Sequence, residues 1–416
     1  MRQRVLLAGI WEQENSDFER QMDELRGLAD ACEMEVVDVM VQKLSRMQPA
    51  SYFGSGRLLE IKERLAESEA EAVVVLHECT PSQLRNLERS LNCRIIDRTQ
   101  LILQIFEHRA RTKEARIQVE MAMCQYELPR LMHASDHWSR QAGGRNKGKG
   151  EQQLALDKRA LQRRITSLKR ELAGIQEKKE TQRRFRQQSP LKKIALVGYT
   201  NAGKSTVLNH LLMLSEQAKE KQVLEQDLLF ATLDTNVRLI QVKGHTPFLL
   251  SDTVGFLEQL PKPLLAAFDA TLKEAQKADL LLHIIDISDP QFAIKREVTI
   301  QTLQRIGCAQ LPCMEVYNKV DLCSDLQEEK RNDALYISAH SEEGMRQLLT
   351  ALDAWQWEDS VALSWRFAYD QQRELSSLYT YADIETRMEK ENGIYLQGKL
   401  PSKRRSQFRG YECEEI

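Results

Sequence analysis

The sequence has 416 residues, of which 42% are hydrophobic and 29% charged, and its formal net charge is −2. This composition is that of a water-soluble protein of two to four domains. No apolar run approaches membrane-spanning length, and residues 5–10 are too short to form the core of a signal peptide. The eight cysteines form no CxxC pair and no Cys/His cluster. We therefore expect free thiols in the reducing cytoplasm rather than a disulfide framework or a zinc site.

The first 110 residues alternate between apolar runs and amphipathic segments. Strands are predicted at residues 5–10, 36–41, 72–76 and 94–96, and helices at residues 17–32, 57–66 and 82–91. The alternation predicts a small α/β subdomain at residues 1–110 with a mostly parallel sheet. The turn Gly54-Ser55-Gly56-Arg57 could cradle a phosphate, but a lone GxG is a weak signal and a helix-entry turn is the favoured interpretation.

Residues 111–190 contain two amphipathic segments joined by a glycine-rich stretch from Gly143 to Gly150. Their apolar residues recur mainly at spacings of three and four: Ile117, Met121, Cys124, Leu128 and Leu131, then Leu154, Leu161, Ile165, Leu168, Leu172 and Ile175. Such periodicity predicts an antiparallel helical hairpin with arms of roughly 25–30 residues. At 1.5 Å per residue, the hairpin would project about 40 Å.

The predicted hairpin is strongly basic. Residues 140–193 carry 17 lysines and arginines against 5 acidic residues, so the rest of the chain is acidic. At the tip lie Arg140, Arg145, Lys147 and Lys149, among glycines and Asn146. Cations and close backbone approach suit irregular RNA, which proteins recognise largely by its shape and backbone. A solvated charged helix with a flexible tip is the alternative interpretation.

A phosphate-binding loop is predicted between the apolar run at residues 194–197 and a helix. It comprises Gly198, Tyr199, Thr200, Asn201, Ala202, Gly203, Lys204 and Ser205, and Thr206 opens the helix that follows. Glycines let consecutive N–H groups face an anion, and the helix N-terminus adds partial positive charge. We expect Lys204 to reach the β- and γ-phosphates and the Ser205 hydroxyl to bind Mg²⁺.

Three later motifs complete a nucleotide site in a GTPase domain predicted at residues 191–352. They follow predicted strands and are Asp252-Thr253-Val254-Gly255, Asn318-Lys319-Val320-Asp321 and Ser338-Ala339-His340. We expect Asp252 to hold Mg²⁺ through water and the N–H of Gly255 to contact a γ-phosphate. The Asp321 carboxylate can accept two hydrogen bonds from guanine, which adenine cannot offer. The ligand is therefore predicted to be GTP or GDP.

The segment Phe230-Ala231-Thr232-Leu233-Asp234 lies between the phosphate loop and Asp252. A threonine here can bind Mg²⁺ only when a γ-phosphate is present, which predicts a conformational switch. An ordinary edge strand is the alternative. Lys204, Thr232 and Gly255 are the predicted catalytic residues.

Residues 353–416 are predicted to form a small α+β domain. A strand is expected at residues 363–367, a helix near residues 373–381 and a second strand at residues 394–396. The cluster Lys403-Arg404-Arg405 could contact RNA, but a solvated basic cluster is the favoured interpretation. The whole chain is thus expected to be an α/β multidomain protein.

The motifs together resemble one known family. GYTNAGKST at residues 198–206, LFATLD at 229–234, DTVGF at 252–256 and NKVD at 318–321 are similar to the HflX family of translation-associated GTPases, within the Obg–HflX group. The resemblance covers most of the chain, because it extends to upstream segments: Ile96-Asp97-Arg98-Thr99, Ile105-Phe106, Arg109-Ala110, Gln118-Val119-Glu120, Gly143-Gly144, Gly150-Glu151 and Gln153-Leu154.

The resemblance implies Mg²⁺ ligands at Ser205 and Thr232 and base recognition at Asn318 and Asp321. It implies as partners the large ribosomal subunit and its rRNA, and rescue or splitting of stalled ribosomes as the role. A ribosome-assembly checkpoint and an antibiotic-protection factor are the alternatives. We expect a monomer off the ribosome. The ATP use reported for the family could reside in the N-terminal subdomain, although no residue there indicates it.

Two residues and one segment bear on what this resemblance implies. Phe256 replaces the glutamine with which many GTPases orient water, so intrinsic hydrolysis should be slow until a partner completes the site. Asn201 matches an asparagine that holds K⁺ in related GTPases, but its turn preference is an equal explanation. Residues 145–153 depart from the usual IGxRGPGETQ pattern, which suggests a divergent branch.

Overall fold

A computed structural model describes residues 2–12, 18–141, 147–187, 191–215, 237–253, 255, 275–323 and 334–413. They form two compact units. The first contains an N-terminal sheet and a pair of long helices, and the second contains a six-stranded sheet and a C-terminal three-stranded sheet. No helix within the described ranges is both long and apolar enough to cross a membrane.

The N-terminal sheet consists of β1 (Gln3–Glu12), β2 (Met34–Leu44), β3 (Ala72–Val75) and β4 (Arg94–Asp97). The strands are parallel, in the order β2-β1-β3-β4. Its helices are α1 (Phe18–Ala31), α2 (Ser55–Ser68), α3 (Pro81–Leu91) and α4 (Arg98–Arg109). Strand residues such as Leu6, Ala8 and Val73 are fully buried, as parallel sheets require. The predicted α/β architecture is confirmed.

The turn at Gly54 opens helix α2. The Gly54 N–H donates to Gln42 Oε1 at 3.1 Å, and the Arg57 guanidinium binds the Val41 carbonyl and the Glu60 carboxylate. The Gly54 N–H and both terminal nitrogens of Arg57 thus have partners within the protein. The geometry therefore favours the helix-entry interpretation over a phosphate cradle.

Helices α5 (Lys113–Gln141) and α6 (Lys147–Gln187) pair along an apolar seam. Ile117, Met121, Cys124 and Leu168 form a buried cluster, and further apolar residues of α6 pack against it. Beside the seam, Arg164 donates two hydrogen bonds to the Glu120 carboxylate, at 2.6 and 2.8 Å. The predicted hairpin is present.

The second arm is longer than the sequence predicted. Helix α6 has 41 residues, and it begins at Lys147, inside the stretch predicted as a loop. Its last residues have no apolar periodicity, but Glu, Lys, Gln and Arg are strong helix formers and continue the helix. Arg145 and the rest of residues 142–146 lie outside the described residues.

The carboxylate of Asp97 joins α5 to the N-terminal sheet. It is fully buried and accepts hydrogen bonds from the N–H groups of Cys79 and Gln100, at 3.1 and 2.8 Å. It also accepts one from the Tyr126 hydroxyl at 2.7 Å and one from the Arg130 guanidinium at 2.9 Å, both on α5. A buried carboxylate with four hydrogen bonds therefore fixes helix α5 to the N-terminal sheet.

The six-stranded sheet consists of β5 (Lys192–Val197), β6 (Val237–Ile240), β7 (Phe248–Asp252), β8 (Leu280–Asp286), β9 (Cys313–Asn318) and β10 (Leu335–Tyr336). Its order is β10-β9-β8-β5-β7-β6, and only β6 is antiparallel to its neighbour. The helices described with it are α7 (Lys204–Leu214), α8 (Phe292–Arg305) and α9 (Glu342–Gln356). Because parallel strands end at the same edge, the loops after β5, β7, β9 and β10 converge there.

The C-terminal sheet is antiparallel. It consists of β11 (Ser360–Phe367), β12 (Asp383–Lys390) and β13 (Gly393–Pro401), in the order β11-β13-β12. Helix α10 (Gln372–Tyr381) packs on one face, and the short α11 (Arg405–Phe408) follows. The predicted α+β fold is confirmed. Strand β12 was not predicted, because its sequence is mostly charged and has little apolar alternation.

Candidate nucleotide-binding site

The loop between β5 and α7 has a backbone that only particular residues adopt. Gly198 has φ +149° and Gly203 has φ +93°, and Asn201 stands in the left-handed region at φ +61°. A Cβ atom on Gly198 would lie 2.3 Å from the carbonyl oxygen of Ile284 on β8. The glycines are thus required for this conformation, as the phosphate-loop interpretation predicts.

The Lys204 ammonium lies inside this loop. The side chain is buried, and its Nζ donates to the carbonyl oxygens of Gly198 and Tyr199, at 3.0 and 2.7 Å. Burial lowers the pKa of Lys204 to about 8, although the nearby Asp252 carboxylate favours the charged form. The ammonium group is therefore held at the N-terminus of α7, where a bound anion would neutralise its charge.

Asn318 connects the loops after β5, β9 and β10. It is 1% exposed, and its Nδ2 donates to the Ala202 carbonyl at 2.9 Å. Its Oδ1 accepts the Ala339 N–H at 2.8 Å. The space is tight, since a Cβ on Gly203 would lie 2.2 Å from Asn318 Nδ2. Three of the predicted motifs are thus brought together by one amide side chain.

Asp252 ends β7 beside the phosphate loop, because it pairs with Leu196 of the adjacent β5. Its carboxylate is buried, as are Thr253 and Gly255. The Ser205 hydroxyl lies in the first turn of α7. Oxygen donors of this kind suit Mg²⁺, which takes few protein ligands beside phosphates and water. No cluster of three or more His, Cys, Asp or Glu side chains placed to hold a metal occurs within the described ranges.

The loop after β9 exposes one acid. Lys319 stands at φ +67°, and its ammonium lies 2.7 Å from the Asp286 carboxylate at the end of β8. A short 3₁₀ turn, Val320–Leu322, follows, and within it Asp321 is exposed. The ion pair with Asp286 fixes Lys319 at the start of the 3₁₀ turn, and the turn exposes Asp321 to solvent.

The loop after β10 is held from both sides. Ser338 and Ala339 are buried and His340 is exposed. The Ala339 carbonyl lies 2.8 Å from Nδ1 of His210 on α7. Ser341 then begins α9, where its hydroxyl accepts the Gly344 N–H at 3.0 Å. Sequence reasoning did not identify His210, since a lone histidine in an apolar helix carries no functional signal.

The structure also places a histidine beneath this site that was not predicted. His283 of β8 pairs with Val197 at the end of β5 and is 1% exposed. Its Nδ1 has no hydrogen-bond partner among the described residues, and neither has the hydroxyl of Thr200, in the phosphate loop. Burial lowers the pKa of His283 to about 4, so the ring is neutral at physiological pH.

The remaining predicted site residues lie outside the described residues. These are Phe230, Ala231, Thr232, Leu233, Asp234, Val254 and Phe256. Of the predicted residues that the structure does describe, Tyr199, Ala202 and Lys204 are buried, and Ser205 and Thr206 are half-buried at the start of α7.

Three family descriptions match the chain in sequence. Residues 19–107 match the N-terminal region of GTP-binding GTPases, residues 109–186 match their middle region, and residues 193–319 match the 50S ribosome-binding GTPases. These matches follow the order of the N-terminal sheet, the helical hairpin and the six-stranded sheet.

Similar proteins match four fifths or more of the chain. GTPase HflX of Magnetococcus marinus is 42% identical over 80% of this chain and 77% of its own length. GTPase HflX of Lacrimispora saccharolytica is 35% identical over 96% of this chain and 94% of its own length. GTPase HflX of Escherichia coli K12 has the same identity and coverage. The resemblance inferred from the motifs is confirmed, and the chain belongs to the HflX family of GTPases.

Proposed function

We propose that the chain is a ribosome-associated GTPase that rescues or splits stalled ribosomes. The observation that carries the nucleotide half of the proposal is Asn318, which joins the loops after β5, β9 and β10. The ribosomal half is supported by the match of residues 193–319 to 50S ribosome-binding GTPases. The domain division at residues 110, 190 and 352 is part of the proposal.

The proposed nucleotide site assigns a role to each motif. Lys204 binds the β- and γ-phosphates, and the Ser205 hydroxyl and Thr232 hold Mg²⁺, with Asp252 acting through water. The metal neutralises charge on the phosphates when it is bound. Asp321 binds the guanine N1–H and 2-amino groups, and the exposure of its carboxylate supports this assignment.

Hydrolysis is proposed to be slow until the ribosome completes the site. Phe256 offers no group that could orient water, so the chain should hold GTP until a partner supplies that function. Thr232 and its neighbours are proposed to take their GTP-bound arrangement through contact with the γ-phosphate. The proposal includes K⁺ near Asn201, which stands exposed in the phosphate loop at positive φ.

The stem of the hairpin supports contact with rRNA. Arg159, Arg163 and Arg170 lie on the face of α6 opposite the apolar seam, and all three are exposed. No ion pair involves them among the described residues, whereas Arg164 is bound to Glu120. Their spacings of four and seven residues place them about 6 and 10.5 Å apart along the helix. Arginines that form no ion pair can donate hydrogen bonds to phosphates, and a row of three is more than a helix face needs to stay solvated.

A sedimentation experiment tests the central proposal. With a non-hydrolysable GTP analogue, the chain should migrate with large ribosomal subunits, and with GDP it should not. The same migration in both nucleotides would contradict the proposal. Light scattering of intact ribosomes should then fall on addition of the chain and GTP. Binding without a fall would favour the checkpoint or antibiotic-protection alternatives.

The hairpin contact has its own test. Replacing Arg159, Arg163 and Arg170 by glutamine should weaken ribosome binding and reduce the slope of log affinity against log salt by about 2–3. The matched control replaces Arg26, Arg46 and Lys62, which are exposed elsewhere on the same unit. Equal slopes in the two triple variants would remove the stem from the proposal.

The base assignment is tested by Asp321→Asn. The variant should lose affinity for GTP and accept xanthosine triphosphate, because the amide offers the complementary donor to the xanthine oxygen. Unchanged GTP affinity would remove Asp321 from base recognition.

A further inference from the structure

The C-terminal sheet has one face packed against the domain core. Trp365 and Phe367 of β11 and Leu396 of β13 are fully buried, and Leu375 and Leu378 of α10 pack over them. Because side chains alternate along a strand, the intervening residues point to the opposite side. Among the described residues of this unit, the helix side chains that pack on the sheet lie on the first face.

We call this second side the open face, and strand register defines it. One row across the sheet is Arg366, Tyr395 and Met388, and the next row is Ser364, Gln397 and Thr386. All except Tyr395 and Ser364 are exposed, and those two are half-buried. Tyr395 therefore stands on the central strand, flanked by an arginine on one side and a methionine on the other.

Two tyrosines and two cations gather at one end of the open face. Lys390 Nζ lies 4.8 Å from the centre of the Tyr395 ring. The Tyr369 hydroxyl donates to the Lys390 carbonyl at 2.9 Å, and its side chain is 49% exposed. Neither Arg366 nor Lys390 forms an ion pair within the described part of the chain. Among the described residues, the end of the face thus combines aromatic rings with two cations that form no ion pair.

This chemistry matches single-stranded nucleic acid. Aromatic rings on an open sheet stack unpaired bases, cations beside them bind phosphates, and Ser, Thr and Gln side chains reach base edges. Duplex bases are stacked on each other and cannot use such a ring. A protein partner would need an apolar centre, and in the two central rows Met388 is the one large aliphatic side chain.

We propose that the open face binds a single-stranded RNA segment, with a base stacked on Tyr395 and phosphates at Arg366 and Lys390. The base displaces Lys390 from the ring, and the freed ammonium then meets the RNA backbone. This site uses none of the residues of the nucleotide site or of the hairpin, and it requires neither GTP nor an intact ribosome.

The test measures binding of a fluorescent 12-nucleotide RNA to the full chain by anisotropy. Arg145, Lys147 and Lys149 are replaced by alanine in every protein, so that the hairpin tip does not dominate. Tyr395→Ala should weaken binding by on the order of tenfold, and Tyr395→Phe, which keeps the ring, should not. Arg366→Gln should reduce the slope of log affinity against log salt by about one.

The matched control is Tyr379→Ala. Tyr379 is 43% exposed and lies on α10, which covers the other face of the sheet. Its loss should leave RNA affinity unchanged, and ultraviolet crosslinking should modify the peptide containing Tyr395. Equal affinities of Tyr395→Ala and Tyr379→Ala, or crosslinks confined to the hairpin, would overturn the proposal. So would equal binding of the same RNA as a duplex.

Discussion

Asn318 should be the side chain on which the arrangement of the nucleotide site depends most directly. Replacing it by alanine removes the donor to the Ala202 carbonyl and the acceptor for the Ala339 N–H. Both backbone groups belong to residues that are at most 2% exposed. Water therefore cannot replace the lost partners without opening the loops.

The expected cost follows from those two groups. Each buried polar group left without a partner costs about 1–3 kcal/mol, so Asn318→Ala should destabilise the loop junction by about 2–6 kcal/mol. The Ala339 N–H left without its acceptor accounts for about 1–3 kcal/mol of this cost, and its hydrogen exchange should be faster by roughly 5- to 150-fold. GDP affinity should fall as well, since Ala202 belongs to the phosphate loop.

Hydrogen exchange of the Ala339 amide, followed residue by residue, is the appropriate assay, because the chain has several domains and global unfolding would mix them. His210→Ala is the control. It removes the contact to the Ala339 carbonyl, 2.8 Å away, but leaves the N–H bonded to Asn318. If the Ala339 amide exchanges equally fast in the parent and in Asn318→Ala, the connecting role of this side chain is wrong.

Three further perturbations have expected outcomes. Burial lowers the pKa of Lys204 to about 8, whereas bound phosphates would favour its charged ammonium form. Above about pH 8, GTP binding should therefore take up a proton, and the affinity for GTP should fall by up to about tenfold per pH unit. Calorimetry at pH 8.5 in two buffers should show the uptake, and its absence would refute the assignment. Gly198→Ala should cost about 2 kcal/mol or more, seen as faster hydrogen exchange of the amides in β5 and β8, because its Cβ meets the Ile284 carbonyl. Asp97→Ala should cost about 3–5 kcal/mol, seen as faster hydrogen exchange of the amides of α4 and α5, since Arg130 loses its buried partner. A loss below about 1 kcal/mol would contradict the role of Asp97 in joining α5 to the sheet.

The order of elements could be predicted from the sequence because each phosphate-site motif follows an apolar run. Phe248–Asp252 and Cys313–Asn318 are strands for that reason, and their loops meet at one edge because the strands are parallel. The role of Asn318 could not be predicted in the same way. Sequence spacing places it after a strand, but its two hydrogen bonds depend on how three loops fold back toward each other.

The missed elements have a common physical cause. Strand β12 reads Asp-Ile-Glu-Thr-Arg-Met-Glu-Lys, and the end of α6 is similarly charged, so neither has an apolar period. Their structure comes from backbone pairing with β13 in the first case and from helix propensity in the second. The partners of Asp97 were missed for another reason. They come from three segments, up to 33 residues from Asp97 along the chain, and no local pattern connects them.

Asp97 and the end of β5 are both buried polar centres, but they differ in a way that separates structure from function. Asp97 has all its hydrogen bonds within the protein, so no ligand could improve its surroundings. At the end of β5, by contrast, not every polar group is satisfied within the described part of the protein. Burial lowers the pKa of Lys204, and the Thr200 hydroxyl has no hydrogen-bond partner among the described residues. A polyanion with bound cations would stabilise those groups together. At the phosphate loop these polar groups lie beside two glycines at positive φ, which is the expectation for a binding site rather than a structural joint.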